Sequence, residues 1–529
     1  MCLFMTPSHA LPGETVPELE LKEYRIIGKD TRVFVITGDK RPTVNFTSFP
    51  LPLAEEERSR ETSEGLITET ERFRREEDFS MIRGISSSLD YTFGTRATND
   101  LTVKASLDGS KTGFSLYTVN RAAKEHTPDN RAPLSQEAGV TGYFKVGETT
   151  GLSLDFGVFR EDDDALGKAF RPGEREANLY HAGFSLNTHA LGPWPVRGNA
   201  MVRGGTYSGF GGVDEEDETV LTAGVRTAGM ISGIEVTVDA AGTSAALGDV
   251  NGSLFSAGAA GNRLFLDALG VTFGADVFVF SRPDEDTKVR LYPKAIVDMS
   301  ITPRVYARLF YHPGVRVRPF SGMYEENGLV TTLVPVLFEE RSMDAEGEIG
   351  VHILPQWSVS AGGFASTADN SLVFSMASDY FDVVPNTEVN LSGFRLKTEF
   401  AGSGRLGADG RLDIINSSWN FSEKGSYTPD EVPYVPKVDA RLDAFFVPFR
   451  FWKLRASARY YGKHYVRKDS ADSESSFFIL DTGVERNIWK EYLSMFIELR
   501  NLTNSKGSWW TDAYTIPGIG LYTGIKAHY

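Results

Sequence analysis

From about Ser80 to Tyr529 apolar and polar residues alternate with a period of two, a pattern that extended strands with two unlike faces satisfy and helices do not. Leu101, Val103, Ala105 and Leu107 alternate with Thr102, Lys104 and Ser106. Trp452, Leu454, Ala456, Ala458 and Tyr460 alternate with Lys453, Arg455, Ser457 and Arg459. The stretch holds roughly 20 to 22 such segments, about 20 residues for each strand with its turn, where roughly 9–11 suffice to cross a bilayer. No repeat of propeller-blade or tandem-sandwich length interrupts it, so one large closed sheet is the simplest architecture.

Composition narrows the reading. Apolar residues make up 41% of the 529, and no uninterrupted apolar run reaches the roughly 18 residues of a spanning helix. The chain carries 52 Gly beside 35 Phe, 20 Tyr and 7 Trp, as expected where strands bend tightly and rings anchor at two membrane interfaces. A soluble all-β protein with its polar face outward shows the same period. A membrane barrel accounts for the length better, because it adds strands around a circumference without thickening a core. The expected fold is therefore all-β: a transmembrane outer-membrane antiparallel β-barrel of about 20–22 strands with a short N-terminal extension.

The expected organisation has three parts. Residues 1–10, ending Ser8-His9-Ala10, read as the tail of a truncated secretory signal segment. Residues 11–79 form an N-terminal extension whose charged stretch contains Glu55-Glu56-Glu57 and Arg74-Arg75-Glu76-Glu77. That stretch suits a solvated tether or a polar insert in a wet lumen. Residues 80–529 are the barrel. The net charge of −16 argues against a nucleic-acid partner. The single cysteine, Cys2, leaves no internal disulfide and no thiolate metal site.

Connections alternate in length: those at Arg486 to Glu491 and Val447 to Phe451 are short, whereas Ile415 to Lys437, Lys463 to Ser475 and Asn501 to Gly520 are long. Outer-membrane barrels have tight periplasmic turns and extended external loops, which places the C-terminus in the periplasm. The last strand carries Leu521, Thr523, Ile525, Ala527 and Tyr529 on one face. A terminal aromatic after alternating apolar residues resembles the signal read by the barrel-insertion machinery.

Leu493 to Asn504 ends in Asn501-Leu502-Thr503-Asn504, followed by Tyr514, Pro517-Gly518-Ile519-Gly520 and the final strand. Pro433-Tyr434-Val435-Pro436 precedes the strand that begins at Val438, and Glu340-Arg341-Ser342-Met343-Asp344-Ala345-Glu346 opens a mid-barrel strand. In this order the motifs resemble the C-terminal barrel region of TonB-dependent receptors, over roughly Pro335 to Tyr529. The resemblance implies a 22-stranded barrel, and in that family a plug of well over 100 residues precedes it. Only about 80 residues precede the first strand here, so the expectation is a receptor-like barrel without a complete plug.

Chemistry has little support. Gly402-Ser403-Gly404-Arg405-Leu406-Gly407 matches a dinucleotide fingerprint in form, but Ala408-Asp409-Gly410 follows where a helix is required, so it reads as a hairpin turn. The eight histidines form no ligand pair. The acidic runs Glu161 to Asp164 and Asp214 to Glu218 read as solvated loops. No catalytic residue, cofactor site or metal site is expected, and the chain does not read as an enzyme. Trp419, Phe421 and Tyr427 in one long loop, and Trp509, Trp510 and Tyr514 in another, are candidate contacts for a planar or apolar ligand, or interface anchors.

Two functions fit. One is uptake or passage of an unidentified solute across the outer membrane. The other is a non-transporting structural or assembly barrel whose lumen a plug or lipoprotein partner fills. Outer-membrane lipid surrounds the barrel in both.

Overall fold

The computed structural model describes residues 84–528, apart from connecting stretches at 96–98, 109–110, 123–133, 148, 164–174, 190–193, 210–214, 266–267, 282–285, 327–336, 377–380, 403–404, 422–429, 468–472, 491, 508–515 and 517. The expected signal segment, N-terminal extension and Tyr529 lie outside the described residues.

One antiparallel sheet contains 23 strand segments, from Gly84–Gly94 to Gly520–His528. The first pairs with the last, from Ser88↔His528 to Gly94↔Tyr522, and closes the ring. Val305–Tyr311 and Gly314–Arg318 both pair with Leu337–Leu354 and share one place in the strand order, so the barrel has 22 strands. Among the described residues no helix is long and apolar enough to cross a membrane.

The faces separate as the alternation requires. In Trp452–Tyr461, Trp452, Leu454, Ala456 and Tyr460 are exposed outward while Lys453, Arg455 and Arg459 are half-buried on the inner side. Large apolar side chains cover the outside, with Leu291 67% and Phe273 66% exposed. In water so wide an apolar surface would aggregate; in a bilayer it is solvated by acyl chains. Lys288–Thr302 measures the belt: from Leu291 to Ile301 its outward residues are Leu, Pro, Ala, Val, Met and Ile. Ten residues at about 3.3 Å each, tilted by roughly 40°, rise about 25 Å, the height of an outer-membrane apolar band.

Short connections such as 303–304, 355–356 and 450–451 alternate with long ones such as 319–336, 421–437 and 501–519. At the short-turn end, Phe265, Trp357, Phe449, Phe451, Trp452, Trp489 and Tyr492 stand exposed within a few residues of the turns, forming an aromatic girdle. The Ser232-Gly233 turn has positive φ at both residues (52° and 79°), the two-residue geometry that matches the twist of the flanking strands. The Gly402 to Leu406 connection joins two paired antiparallel strands, as a hairpin.

The motif Asn501-Leu502-Thr503-Asn504 has a local physical reason. Asn501 and Asn504 both adopt left-handed backbone (φ 50° and 49°), which asparagine tolerates better than most residues. The Asn501 side chain then accepts the Ser505 N–H at 2.9 Å and the Thr503 hydroxyl at 3.0 Å, so the strand end is locked into a turn.

Closure is tightest beside Gly524, where an added Cβ would collide with the Tyr91 carbonyl oxygen and the Phe496 ring. Gly524→Val should therefore destabilise the closing pair by about 1–3 kcal/mol through overpacking. The expected result is a reduced fraction of heat-modifiable, faster-migrating barrel after refolding in detergent. Leu521→Val, at an outward position, should refold normally; equal yields for the two variants would contradict this account of the seam.

Candidate functional site: the lumen and its mouth

The inner face is lined by charge that the sequence distributes at every second position. Arg395, 2% exposed, bonds Glu346 at 3.0 Å and Asp413 at 3.0 Å and lies 5.0 Å from the centre of the Phe364 ring. Lys397 reaches Glu348 at 3.1 Å, Arg411 pairs with Asp413, and Glu485 joins Arg455 at 3.0 Å to Lys526 at 3.2 Å. On another arc Asp276 holds Lys294 at 2.6 Å and His312 at 3.1 Å. A cation turned to the lipid side would cost about 2–4 kcal/mol at mid-depth, so these residues orient the strands as firmly as the apolar ones do. The carboxylates of the Glu340 to Glu346 motif join this charged lining: Glu340 bonds Arg290 and Tyr292, and Glu346 bonds Arg395 and Lys397.

At the long-loop end the polar wall gives way to a large apolar cluster inside the ring. Three insertions build it. The first follows Gly314–Arg318: the helix Phe320–Glu326 starts on the carboxylate of Glu218, which accepts the Phe320 N–H at 2.5 Å, the Ser321 N–H at 2.8 Å and the Tyr207 hydroxyl at 3.3 Å. A helix start leaves such N–H groups without intrahelical partners, and Glu218 supplies an acceptor from a wall strand about a hundred residues earlier. Phe320 packs edge-on against Tyr207 at 4.7 Å, and the Tyr324 hydroxyl donates to Glu161 at 2.7 Å.

The second insertion is the far end of the hairpin Trp357–Met376 and Phe381–Gly402. Its neighbours Leu372, Val373 and Phe374 are all at most 3% exposed. A wall strand buries alternate residues, so three in succession mean that both faces are covered. The turn-in occurs at Asn370 (φ 52°), where the pairing shifts register twice between Ala368 and Val373, and the Thr387 hydroxyl fastens the tip by donating to the Ser371 carbonyl at 2.7 Å.

The third insertion is 430–436, the Pro433-Tyr434-Val435-Pro436 motif. Tyr434 takes a positive φ of 62°, unusual for a bulky residue, and its N–H donates to the Tyr465 carbonyl at 2.7 Å while its own carbonyl accepts the Tyr461 hydroxyl at 2.7 Å. Val432, Tyr434 and Val435 are buried. The cluster joins Ala177, Tyr207 and Leu247 on one arc of the ring to Phe364, Ile415 and Ile479 on another, with the helix between them.

The sequence-derived candidates fall variously on this site. Trp419 belongs to the strand Leu406–Asn420, not to a loop, and is 2% exposed; its ring centre lies 4.5 Å from that of Phe421, which packs on the same cluster. Tyr427, Trp509, Trp510 and Tyr514 lie outside the described residues. In the last strand Leu521 and Ile525 are exposed outward, with Thr523 and Ala527 half-buried on the same face. Glu161 and Glu218 correct the reading of their runs as solvated loops: both are buried, because tyrosine hydroxyls and the helix N–H groups surround them. Sequence reasoning missed the helix and the hairpin tip. The unbroken apolar run Leu372-Val373-Phe374 was the available signal, since it departs from period two.

His464 sits in this cluster, buried, with Nδ1 3.2 Å from the Gly462 carbonyl and its ring edge-on to Tyr461 at 5.0 Å. Nε2 has no hydrogen-bond partner among the described residues. Burial pushes the imidazole pKa down to about 4, from an ordinary value near 6.5. The folded pKa lies below the unfolded one, so the stabilisation is present above about pH 6.5 and is lost as pH falls toward 4, at most about 3 kcal/mol. Protection of the Tyr434 amide from hydrogen exchange, corrected for intrinsic rates, should therefore fall between pH 7 and 4. His464→Gln should flatten that dependence, and an equal fall in both proteins would clear His464 of the role.

No family model and no curated protein matches the chain. Solved structures do. The FrpB iron transporter from Neisseria meningitidis superposes with a TM-score of 0.67 at 11% identity, covering 85% of this chain and 82% of that one. The siderophore receptor PirA from Acinetobacter baumannii gives 0.66 at 10%, covering 85% and 81%. The ferric-catecholate import receptor Fiu from E. coli K12 gives 0.64 at 9%, covering 85% and 82%. The fold is that of the outer-membrane barrels of TonB-dependent receptors.

Proposed function

We propose that this chain passes a solute across the outer membrane through a lumen whose mouth its own long-loop segments hold shut. One observation carries the reading: a charged inner wall, suited to water and polar solute, ends in an apolar cluster made of inserted helix, hairpin tip and loop. A purely structural wall has no need of both. The similar structures are named as an iron transporter, a siderophore receptor and a ferric-catecholate import receptor. We take a metal chelate as the class of solute to try first. In this reading the long loops face outward, the C-terminus is periplasmic, the barrel occupies 80–529, and 11–79 supplies either energy coupling or a partial insert. Trp419 and Phe421 then serve the closed mouth, and reach a ligand once it opens.

Conductance in planar bilayers tests this. Full-length protein should be silent or nearly so. Glu218→Ala combined with Phe320→Ala removes both the acceptor and the ring that hold the helix, and should give large, frequent openings. Deleting 11–79 from that variant should raise the current further if the extension lies in the bore. Silence in all three proteins, with the barrel still heat-modifiable, would sink solute passage and leave the non-transporting, partner-filled barrel.

A further inference from the structure

One stretch of the wall keeps a strand neighbour on one side only. Lys288–Thr302 bonds Val305–Tyr311 from Thr302 up to Ala295 and no further. Beyond that point Gly314–Arg318 pairs with Leu337–Leu354 alone. The half at 288–294 keeps its neighbour on one side, from Gly274↔Lys294 to Phe280↔Lys288, and among the described residues no strand pairs with its other side. The missing partner has moved into the ring. A Cβ on Gly314 would touch the Phe278 ring, Val315 is buried with Phe280 and Phe338, and Val317 packs on the same group. Phe280 and Phe338 stack at 5.6 Å. Gly314–Arg318 and the start of Leu337–Leu354 thus form an inner layer behind the wall.

An unpaired strand edge in hydrocarbon is costly. This one carries Arg290, Pro293 and Lys294, the residue types that blunt edges, and proline fits a strand only where its nitrogen needs no partner. Outward, Val289 and Leu291 are 60% and 67% exposed within or beside the apolar belt, so whatever meets the edge comes from the lipid phase. Across the seam side chains take over from backbone: Glu340 of the inner layer accepts Arg290 Nε at 2.6 Å and the Tyr292 hydroxyl at 2.5 Å. Side-chain contacts can part without unzipping a ladder.

We propose that this seam is a lateral binding portal for a long-chain fatty acid from the surrounding leaflet. The carboxylate competes with Glu340 for Arg290, and the chain lies between the Val289–Leu291 edge and the apolar inner layer of Val315, Val317 and Phe338. The inference is independent of solute passage along the bore and needs only the membrane setting.

Full-length protein reconstituted in phosphatidylcholine vesicles containing diazirine-bearing palmitate would be photolysed and its labelled peptides mapped, counting only heat-modifiable protein. Labels should appear on Val315, Val317 or Phe338 as well as on Val289 and Leu291, and excess unlabelled palmitate should remove the inner ones. Glu340→Gln, which frees Arg290, should raise inner labelling on the order of tenfold; Arg290→Gln should abolish it. Labelling confined to outward residues, or inner labelling that neither substitution nor unlabelled palmitate alters, would overturn the portal. Bilayer conductance of the same preparations reads the bore separately, so either idea can fail alone.

Discussion

In hydrocarbon no water satisfies a backbone N–H or C=O, and a sheet can live there only by closing on itself. That constraint explains why Gly84–Gly94 returns to Gly520–His528 and why the closing pair tolerates no Cβ at Gly524. Once closed, the period of two sends every second side chain to lipid and the others inward. The ion pairs around Arg395 and Glu485 are the inward consequence, and Leu291 and Phe273 the outward one.

A ring of 22 strands is too wide for wall side chains to fill, so its bore needs other matter. Here the long-loop end supplies some from the chain itself. Polar backbone can enter an apolar cluster only if its hydrogen bonds are met. Each insertion therefore arrives with its own acceptors or donors: Glu218 for the helix start, Thr387 for the hairpin tip, Tyr461 and the Tyr465 carbonyl for the turn at Tyr434. Glu218 shows why burial of a carboxylate is tolerated, since two N–H groups and a hydroxyl converge on it.

Strand existence, the closed sheet, the alternation of short and long connections and the hairpin at Gly402 were legible in the sequence because each follows from local periodicity or turn chemistry. The mouth was not, for the opposite reason. Glu218 sits in an acidic run that looks solvated, and nothing near it announces that Phe320 and Ser321 will approach. Trp419 read as a loop residue because the strand holding it runs on past the apolar belt to Asn420, where the exposed positions turn to Asn416 and Ser418. The break between Tyr311 and Gly314 passes as ordinary alternation around His312-Pro313; only pairing shows that the strand changes layers there.

Two kinds of bond divide the labour in this barrel. Backbone ladders fix the ring, and one of them stops short beside 288–294. Side-chain contacts hold what lies within it, from the Glu218 acceptor to the Glu340 bridge to Arg290 and Tyr292. A ladder bond lost in lipid leaves two polar groups unsolvated, whereas a side-chain contact at a wet lumen or rim can exchange its partner for water or ligand. The gap in the ladder and the inserted helix share one run of the chain, 312–326, so the segment that leaves the wall is the one that reaches the mouth. Gly314–Arg318 packs on Phe278 and Phe280 just ahead of the helix that Glu218 holds, so one short run of chain serves both the side of the barrel and its end.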